Sequence, residues 1–272
     1  MPPMTEILIF AAALAVAGAA SGLLAGLFGV GGGAILVPIF YQVYGLLEVP
    51  DTVRTHIAVG TSLAVIVPTS IRSFMAHRKR GAVDMDILRG WVIWLPLGTI
   101  LATVVAAYVS GAFLRVLFMG LAMLIAFKMF FNREHWQLGT VMPAGPVNAV
   151  AGGTIGLLSG LMGVGGGTLA NLWMTLWNRT VHQSVATSSG VGVLISIPGL
   201  FGYIWAGWGE PGLPPFSTGF INWITVALVI PLSLLVAPLG VRLAHAMTRR
   251  QLEIGFGLFL LAVSIRFLVS LL

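Results

Sequence analysis

The sequence predicts an all-α polytopic membrane protein built from two inverted-topology repeats of about five membrane segments each. Three observations lead to this prediction: the chain is apolar, it repeats itself in order, and equivalent loops differ in charge. Hydrophobic residues make up 58% of the 272 residues and charged residues only 8%. A soluble domain carries about 25% charged residues, so most of this surface faces lipid and we expect no separate soluble domain.

The internal repeat is clearest at two glycine clusters. Residues 22–33 read GLLAGLFGVGGG and residues 156–167 read GLLSGLMGVGGG. Further along, HIAVGTS at 56–62 is matched by HQSVATS at 182–188, in the same order. We therefore divide the membrane domain into a first repeat (1–131), a cytoplasmic linker (132–145) and a second repeat (146–272).

Each repeat contains five apolar segments. They run over about 5–29, 34–47, 54–77, 88–109 and 112–131 in the first repeat, and over about 146–163, 168–178, 182–206, 220–241 and 251–271 in the second. A membrane span needs about 20 residues, and the second segment of each repeat is shorter. We expect broken or re-entrant helices after each glycine cluster.

Basic residues give the orientation, because cytoplasmic loops are rich in Lys and Arg. Residues 77–80 read HRKR, whereas the equivalent loop of the second repeat, 207–219, has no Lys or Arg. In the next loops the bias reverses, since 109–113 is uncharged and 242–250 carries three arginines. We expect loops 77–89 and 242–250 in the cytoplasm and both termini outside.

The glycine clusters have two surviving interpretations. A nucleotide-binding loop is excluded because an apolar helix, not a strand, precedes the first cluster. Small-xxx-small pairs, such as those at 22/26 and 156/160, are typical of closely packed membrane helices. Alternatively, each cluster breaks its helix, since a glycine destabilises a helix by about 1 kcal/mol relative to alanine.

A broken helix in lipid survives only where it lines a protected cavity. Breaks at corresponding points of two inverted repeats indicate a ligand site near the bilayer midplane. The positive ends of the two following half-helices would both face this site, which favours an anion. The predicted contributors are Gly31, Gly32, Gly33, Gly165, Gly166 and Gly167.

The placement of the carboxylates also favours an anion. All eight lie near segment ends or in loops, whereas a cation pathway normally needs acidic side chains inside the membrane. No metal site and no cofactor are predicted.

Several polar side chains are candidates for holding the anion. Threonine and serine hydroxyls either donate to the anion or bond back to their own helix. An asparagine amide can donate to it, and histidine can carry a coupled proton. For the two histidines the alternative is an interfacial position at the membrane faces. The candidates are Thr61, Ser62, Thr187, Ser188, Asn171, His56 and His182.

The motifs resemble those of the TauE/SafE family of sulfite and organosulfonate exporters. The resemblance rests on two G-x-G-G-G clusters, on Val37-Pro38, on the Gly-Thr-Ser at 60–62 and on the loop HRKRGAVD at 77–84, and it covers nearly the whole chain. It departs at Asn171-Leu172, where the first repeat has Val37-Pro38. It implies a carrier of the bacterial-type plasma (inner) membrane, exporting sulfite or a related organosulfur anion.

The predicted function is a secondary transporter of small anions, most of all sulfite or an organosulfonate, by alternating access, with proton coupling left open. A passive anion channel and a non-transporting subunit of a membrane complex are the alternatives. An enzyme is not expected, because the chain has no Cys, no central carboxylate and no H-E-x-x-H. The expected partners are a small anionic substrate and the lipid bilayer, without nucleic acid; a homodimer is compatible with the sequence.

Overall fold

The computed structural model describes residue 12 and residues 14–23, 33–131 and 137–270, which are almost entirely helical. In chain order the helices are α1 Leu14–Leu23, α2 Gly33–Leu46, α3 Asp51–Lys79, α4 Met85–Trp91, α5 Trp94–Tyr108, α6 Gly111–Phe130, α7 Pro146–Met162, α8 Gly167–Leu176, α9 Val181–Ala206, α10 Trp223–Ala246 and α11 Arg249–Val269. Between α9 and α10, strands β1 Ser217–Thr218 and β2 Ile221–Asn222 form an antiparallel hairpin.

Within these residues, four helices are long and apolar enough to cross a membrane, namely α3, α6, α9 and α10. The pair α4 and α5, bent by 45°, forms a fifth crossing if it is one broken span. At 1.5 Å per residue, the 20 residues of α6 reach about 30 Å, the thickness of the hydrocarbon core. Large apolar side chains such as Leu101, Leu124 and Phe127 are more than half exposed, as lipid-facing residues are. The prediction of a polytopic α-helical membrane protein is confirmed.

The second segment of each predicted repeat forms a short helix in the structure. Helix α2 has 14 residues and α8 has 10. At 1.5 Å per residue they reach about 21 Å and about 15 Å, less than the thickness of the bilayer core.

Two features differ from the predicted segments. The segment predicted at 88–109 is two helices, α4 and α5, with a break at Val92 and Ile93. Pro96 follows the break in the first turn of α5, where the N–H that proline lacks would have no partner within the helix. The second difference is the hairpin, which lies where the sequence predicts a plain loop ending at Gly219.

Glycines bring α5 and α7 into backbone contact. A Cβ atom on Gly156 would lie 2.3 Å from the carbonyl oxygen of Leu95, and one on Gly160 would lie 2.7 Å from the Cβ of Ala102. Real Cβ atoms do not approach so closely, so only glycine fits at Gly156. These two residues therefore serve helix packing, as the small-xxx-small interpretation predicts.

The most crowded of these contacts predicts a stability effect. A Cβ on Gly98 of α5 would lie 2.1 Å from the carbonyl oxygen of Gly153 in α7, and overpacking of this kind costs about 1–3 kcal/mol. We expect Gly98→Ala to lower the Tm of the purified protein by about 5 °C. The matched control is Gly120→Ala in α6, where a Cβ meets nothing within 4 Å; its Tm should stay equal or rise. A Gly98→Ala protein as stable as the Gly120→Ala protein would contradict the close contact.

An ion pair ties α2, α3 and α6 together at one end of the helices. Arg115 is 3% exposed, and its guanidinium donates to both carboxylate oxygens of Asp51, at 3.0 Å and 2.7 Å. The hydroxyl of Tyr41 donates to Asp51 at 2.9 Å and contacts Arg115. Because Asp51 is the first residue of α3, this cluster anchors the N-terminal end of α3, whereas His77 lies near the C-terminal end.

Candidate functional site

The second glycine cluster breaks the chain into two helices. Helix α7 ends at Met162 and α8 begins at Gly167. Between them, the backbone φ angles of Gly163, Gly165 and Gly166 are +67°, +66° and +75°, in the left-handed region that side chains disfavour. Because the first amides of a helix have no partner within it, the start of α8 presents N–H groups that need partners from outside the helix, together with the positive end of the helix dipole.

The first glycine cluster is described only from Gly33 onwards, where α2 begins. Gly31 and Gly32, predicted to bind the anion, lie outside the described residues. Gly33 itself is buried against the second cluster, since a Cβ on it would lie 2.5 Å from the Cα of Val164 and 2.7 Å from the carbonyl oxygen of Gly163. The start of α2 thus packs directly onto the break between α7 and α8.

A cavity of about 800 Å³ lies next to this break. Gly165 and Gly167 line it, together with residues from α1, α2, α3, α9 and α10. Its hydroxyl-bearing side chains are Ser21, Thr69, Ser70, Ser73, Ser188, Ser189 and Ser233. The cavity therefore offers hydroxyl groups beside the start of α8, within a lining that is otherwise mostly apolar.

Among the described residues, every permanently charged side chain that lines the cavity is positive. Arg72 and Arg80 come from α3 and the residue after it, and Arg242 comes from α10; His77 lines the cavity too. No carboxylate lines it in the part of the chain that the structure describes. All three arginines are exposed, so the cavity reaches the protein surface at this basic end.

Helix spacing explains how α3 lines the cavity. Thr69, Arg72, Ser73, His77 and Arg80 follow one another at intervals of one, three and four residues, which keeps them on one face of a helix. In the sequence, the basic residues at 77–80 indicate orientation and contribute to the family resemblance, and the predicted site residues do not include Arg72, Arg80 or Arg242. The sequence feature that indicates Arg72 and Arg80 is the spacing of polar side chains by three and four positions at the end of an otherwise apolar helix.

Ser188 is the predicted donor that meets the cavity. It is 5% exposed, and its Oγ has no hydrogen-bond partner among the described residues. It lies one helical turn before Gly192, where a Cβ would be 3.5 Å from the carbonyl oxygen of Gly165. A buried hydroxyl without a partner, on the helix face that contacts the glycine break, is free to donate to a bound anion.

Thr61 and Thr187 do not line the cavity; each accepts a backbone N–H from the opposite half of the chain. The N–H of Asn222 donates to the Thr61 hydroxyl at 3.0 Å, and the N–H of Asp84 donates to the Thr187 hydroxyl at 2.9 Å. Asn222 and Asp84 play the same local role, because the side chain of each accepts a backbone N–H at the start of the helix that follows. Thr61 thus holds the chain just before α10, and Thr187 holds it just before α4.

The hairpin covers the middle of α3 around Thr61. A Cβ on Gly60 would lie 2.3 Å from the carbonyl oxygen of Phe220, so the hairpin backbone contacts the helix directly. The hydroxyl of Tyr44 also lies within hydrogen-bond distance of Thr61 and of Thr225, at 3.3 Å and 3.0 Å. A buried polar network therefore joins α2, α3, α10 and the hairpin around Thr61.

The remaining predicted residues lie apart from the cavity lining. Ser62 donates to the carbonyl of Gly163 at 2.9 Å and so anchors the glycine break. His56 is buried, with Nε2 3.1 Å from the carbonyls of Ala106 and Val109, and its ring stacks on Phe220 at a centroid distance of 5.0 Å.

Three more candidates complete the set. Asn171, in α8, is half-buried, and its Oδ1 has no partner among the described residues. His182 is exposed near the start of α9. Gly166 is buried against Ile195 of α9, where a Cβ would lie 2.3 Å from that side chain. Of all the predicted side chains and glycines, the cavity brings together Gly165, Gly167 and Ser188.

Comparison with known proteins agrees with this architecture. The family model described as "Sulfite exporter TauE/SafE" matches residues 14–267. The chain belongs to the TauE/SafE family. A probable membrane transporter protein of Haemophilus influenzae is 31% identical over 249 residues, covering 91% of this chain and 94% of that protein. A probable membrane transporter protein of Methanocaldococcus jannaschii is 30% identical over 260 residues, covering 92% of each. No solved structure matches the chain. TauE/SafE membership makes this a membrane transporter, as the resemblance implies.

Proposed function

We propose that this TauE/SafE protein is a secondary transporter of small anions that works by alternating access, with sulfite or an organosulfonate as the first candidate substrate. The observation that carries the proposal is the cavity beside the glycine break. Three arginines line it, and among the described residues no carboxylate does.

The electrostatics of the cavity support an anionic ligand. A cleft lined by charges of one sign concentrates ions of the opposite sign. At its inner end, the free amides of α8 and the Ser188 hydroxyl supply directed hydrogen bonds of the kind that bind oxyanions. The proposed binding residues are therefore Gly165, Gly167 and Ser188, with Arg72 and Arg242 attracting the anion from the surface.

The contacts between helices support the inverted repeat. Helix α3 contacts α9, and α6 contacts α11, which pairs each helix with its equivalent in the other repeat. Helix α7 packs on α5 through Gly156, and α1 packs on α10 through the equivalent Gly22, whose Cβ would lie 2.4 Å from the carbonyl oxygen of Ser233. The reciprocal bonds to Thr61 and Thr187 add a further equivalent pair. We propose the division at 1–131, 132–145 and 146–272 on this basis.

The basic end of the cavity is proposed to face the cytoplasm. Arg80 and Arg242 come from the two loops, 77–89 and 242–250, that the positive-inside rule assigns to that side, and both line one cavity. The hairpin then lies outside, where it covers Gly60 and Thr61. This arrangement corresponds to an inward-open carrier in a bacterial-type inner membrane, with both termini outside, and it suits the loading of an anion for export.

A panel of anions tests the proposal on the purified protein. A ligand that binds only the folded state stabilises it by about 2.7 kcal/mol at 100 times its Kd. We expect sulfite and methanesulfonate, as sodium salts, to raise the Tm, and we expect choline chloride at equal ionic strength to leave it unchanged. If none of the sulfite, sulfonate, sulfate and carboxylate salts raises the Tm above the chloride control, the anion site is disproved.

A further inference from the structure

One of the described side chains that line the cavity changes charge near neutral pH. Among the described residues that line it, the ionisable ones are Arg72, His77, Arg80 and Arg242. Arginine stays protonated at any physiological pH, whereas histidine titrates between about pH 5 and pH 8. The charge of the cavity in this range therefore depends on His77.

The surroundings of His77 leave its imidazole available to a ligand. It is half-buried near the end of α3, and no side-chain hydrogen bond to it occurs in the described part of the chain. The charged groups that line the cavity with it are Arg72 and Arg80 from its own part of the chain and Arg242 from α10. In the described lining, α9 contributes Val185 and three small or hydroxyl residues without charge, and α1, α2 and α8 contribute no ionisable group.

We propose that His77 is the protonatable anion-binding residue of this cavity, so that the proton concentration on its open side sets the affinity for anions. The inference rests on the proposed anion transport. With a neutral imidazole, the cavity holds the three arginine charges; protonation adds a fourth positive charge and an N–H donor. Anion binding and proton binding at His77 thus strengthen each other.

This assignment differs from the sequence-based expectation, in which His56 and His182 are the candidates for the coupled proton. His56 has its Nε2 at two backbone carbonyls, and Phe220 covers its ring. His182 is exposed and does not line the cavity. Among the histidines whose side chains the structure describes, His77 alone combines a titratable ring with direct contact with the cavity.

Calorimetric titration of the purified protein with methanesulfonate tests the inference. This anion keeps its charge across the pH range, so any pH dependence belongs to the protein. We expect the wild-type protein to bind it about 3–10-fold more tightly at about pH 5.5 than at about pH 8.5, the effect of one added charge at partly screened range. His77→Gln should bind weakly at both pH values, and His77→Arg, which keeps the charge, should bind tightly at both.

Two further variants make the test specific. Lys79→Gln removes a positive charge two residues away that does not line the cavity, and it should keep the wild-type pH dependence. A His77→Gln protein with the full wild-type pH dependence, or a His182→Gln protein that loses it, would overturn the inference while leaving anion binding in place. Absence of methanesulfonate, sulfite and sulfate binding to the wild-type protein at both pH values would instead overturn the proposed function itself.

Discussion

Ser188→Asp is expected to abolish sulfite uptake by the reconstituted protein, with a loss of about 100-fold or more. The substitution places a carboxylate on the helix face that contacts the glycine break, where Ser188 has a buried Oγ without a partner. The new charge lies in the cavity lining beside the glycine break, where it repels an incoming anion. Two unit charges about 4 Å apart interact by about 4 kcal/mol at an effective dielectric constant of about 20, which exceeds a hundredfold change in binding. Uptake of radiolabelled sulfite into liposomes measures the effect.

The matched control for this variant is Ser110→Asp. Ser110 caps the start of α6 through its side chain, and aspartate caps a helix as well as serine does. The same chemical change far from the cavity should therefore leave uptake near the wild-type rate. Ser188→Ala should weaken sulfite binding by only about 2–10-fold, the effect of one lost hydrogen bond. Undiminished uptake by a folded Ser188→Asp protein would refute the proposed site.

Crosslinking the hairpin to α3 is expected to stop transport completely and reversibly. The backbone N–H of Asn222 donates to the Thr61 hydroxyl at 3.0 Å. A carrier that works by alternating access, as proposed, must open the side on which the hairpin covers α3. The double variant Thr61→Cys/Asn222→Cys, oxidised to a disulfide, should bind sulfite from the open side of the cavity and not release it across the membrane. Reduction with dithiothreitol should restore uptake to the level of the unoxidised double variant.

The chain is well suited to this experiment because it contains no cysteine. The two single variants, treated with the same oxidant, are the controls, and neither should lose activity on oxidation. Formation of the disulfide is checked by the mobility of the protein after tryptic cleavage between the two positions. If the fully crosslinked protein transports at the uncrosslinked rate, the hairpin does not gate the pathway.

Much of the fold follows from local sequence patterns. Apolar segments of about 20 residues have no alternative in lipid to helices that satisfy their own backbone, so their positions were predictable. The break at Gly163, Gly165 and Gly166 was also predictable, since three nearby glycines destabilise a helix and permit positive φ angles. The short length of α8 follows from the same break, and the first glycine cluster predicts a short helix at α2 as well.

The assignment of side chains to the cavity was less predictable, because it depends on contacts distant in sequence. Thr61 and Thr187 have the same local pattern as a donor to an anion, but their partners Asn222 and Asp84 are 161 and 103 residues away. Nothing near Thr61 indicates that a hairpin will fold back onto it. Arg242 likewise lines the same cavity as the α3 residues only because α10 packs beside them. The spacing of residues along the sequence therefore could not place it there.

The most direct test of the account is exchange of labelled for unlabelled sulfite in liposomes that contain the purified protein. If one anion site alternates between the two sides of the membrane, liposomes preloaded with unlabelled sulfite should accumulate the label transiently above its equilibrium level. The exchange rate should saturate with sulfite concentration, and organosulfonates should compete. A label flux that rises linearly with concentration and shows no transient accumulation would indicate a passive channel, and a flux equal to that of protein-free liposomes would contradict sulfite transport altogether.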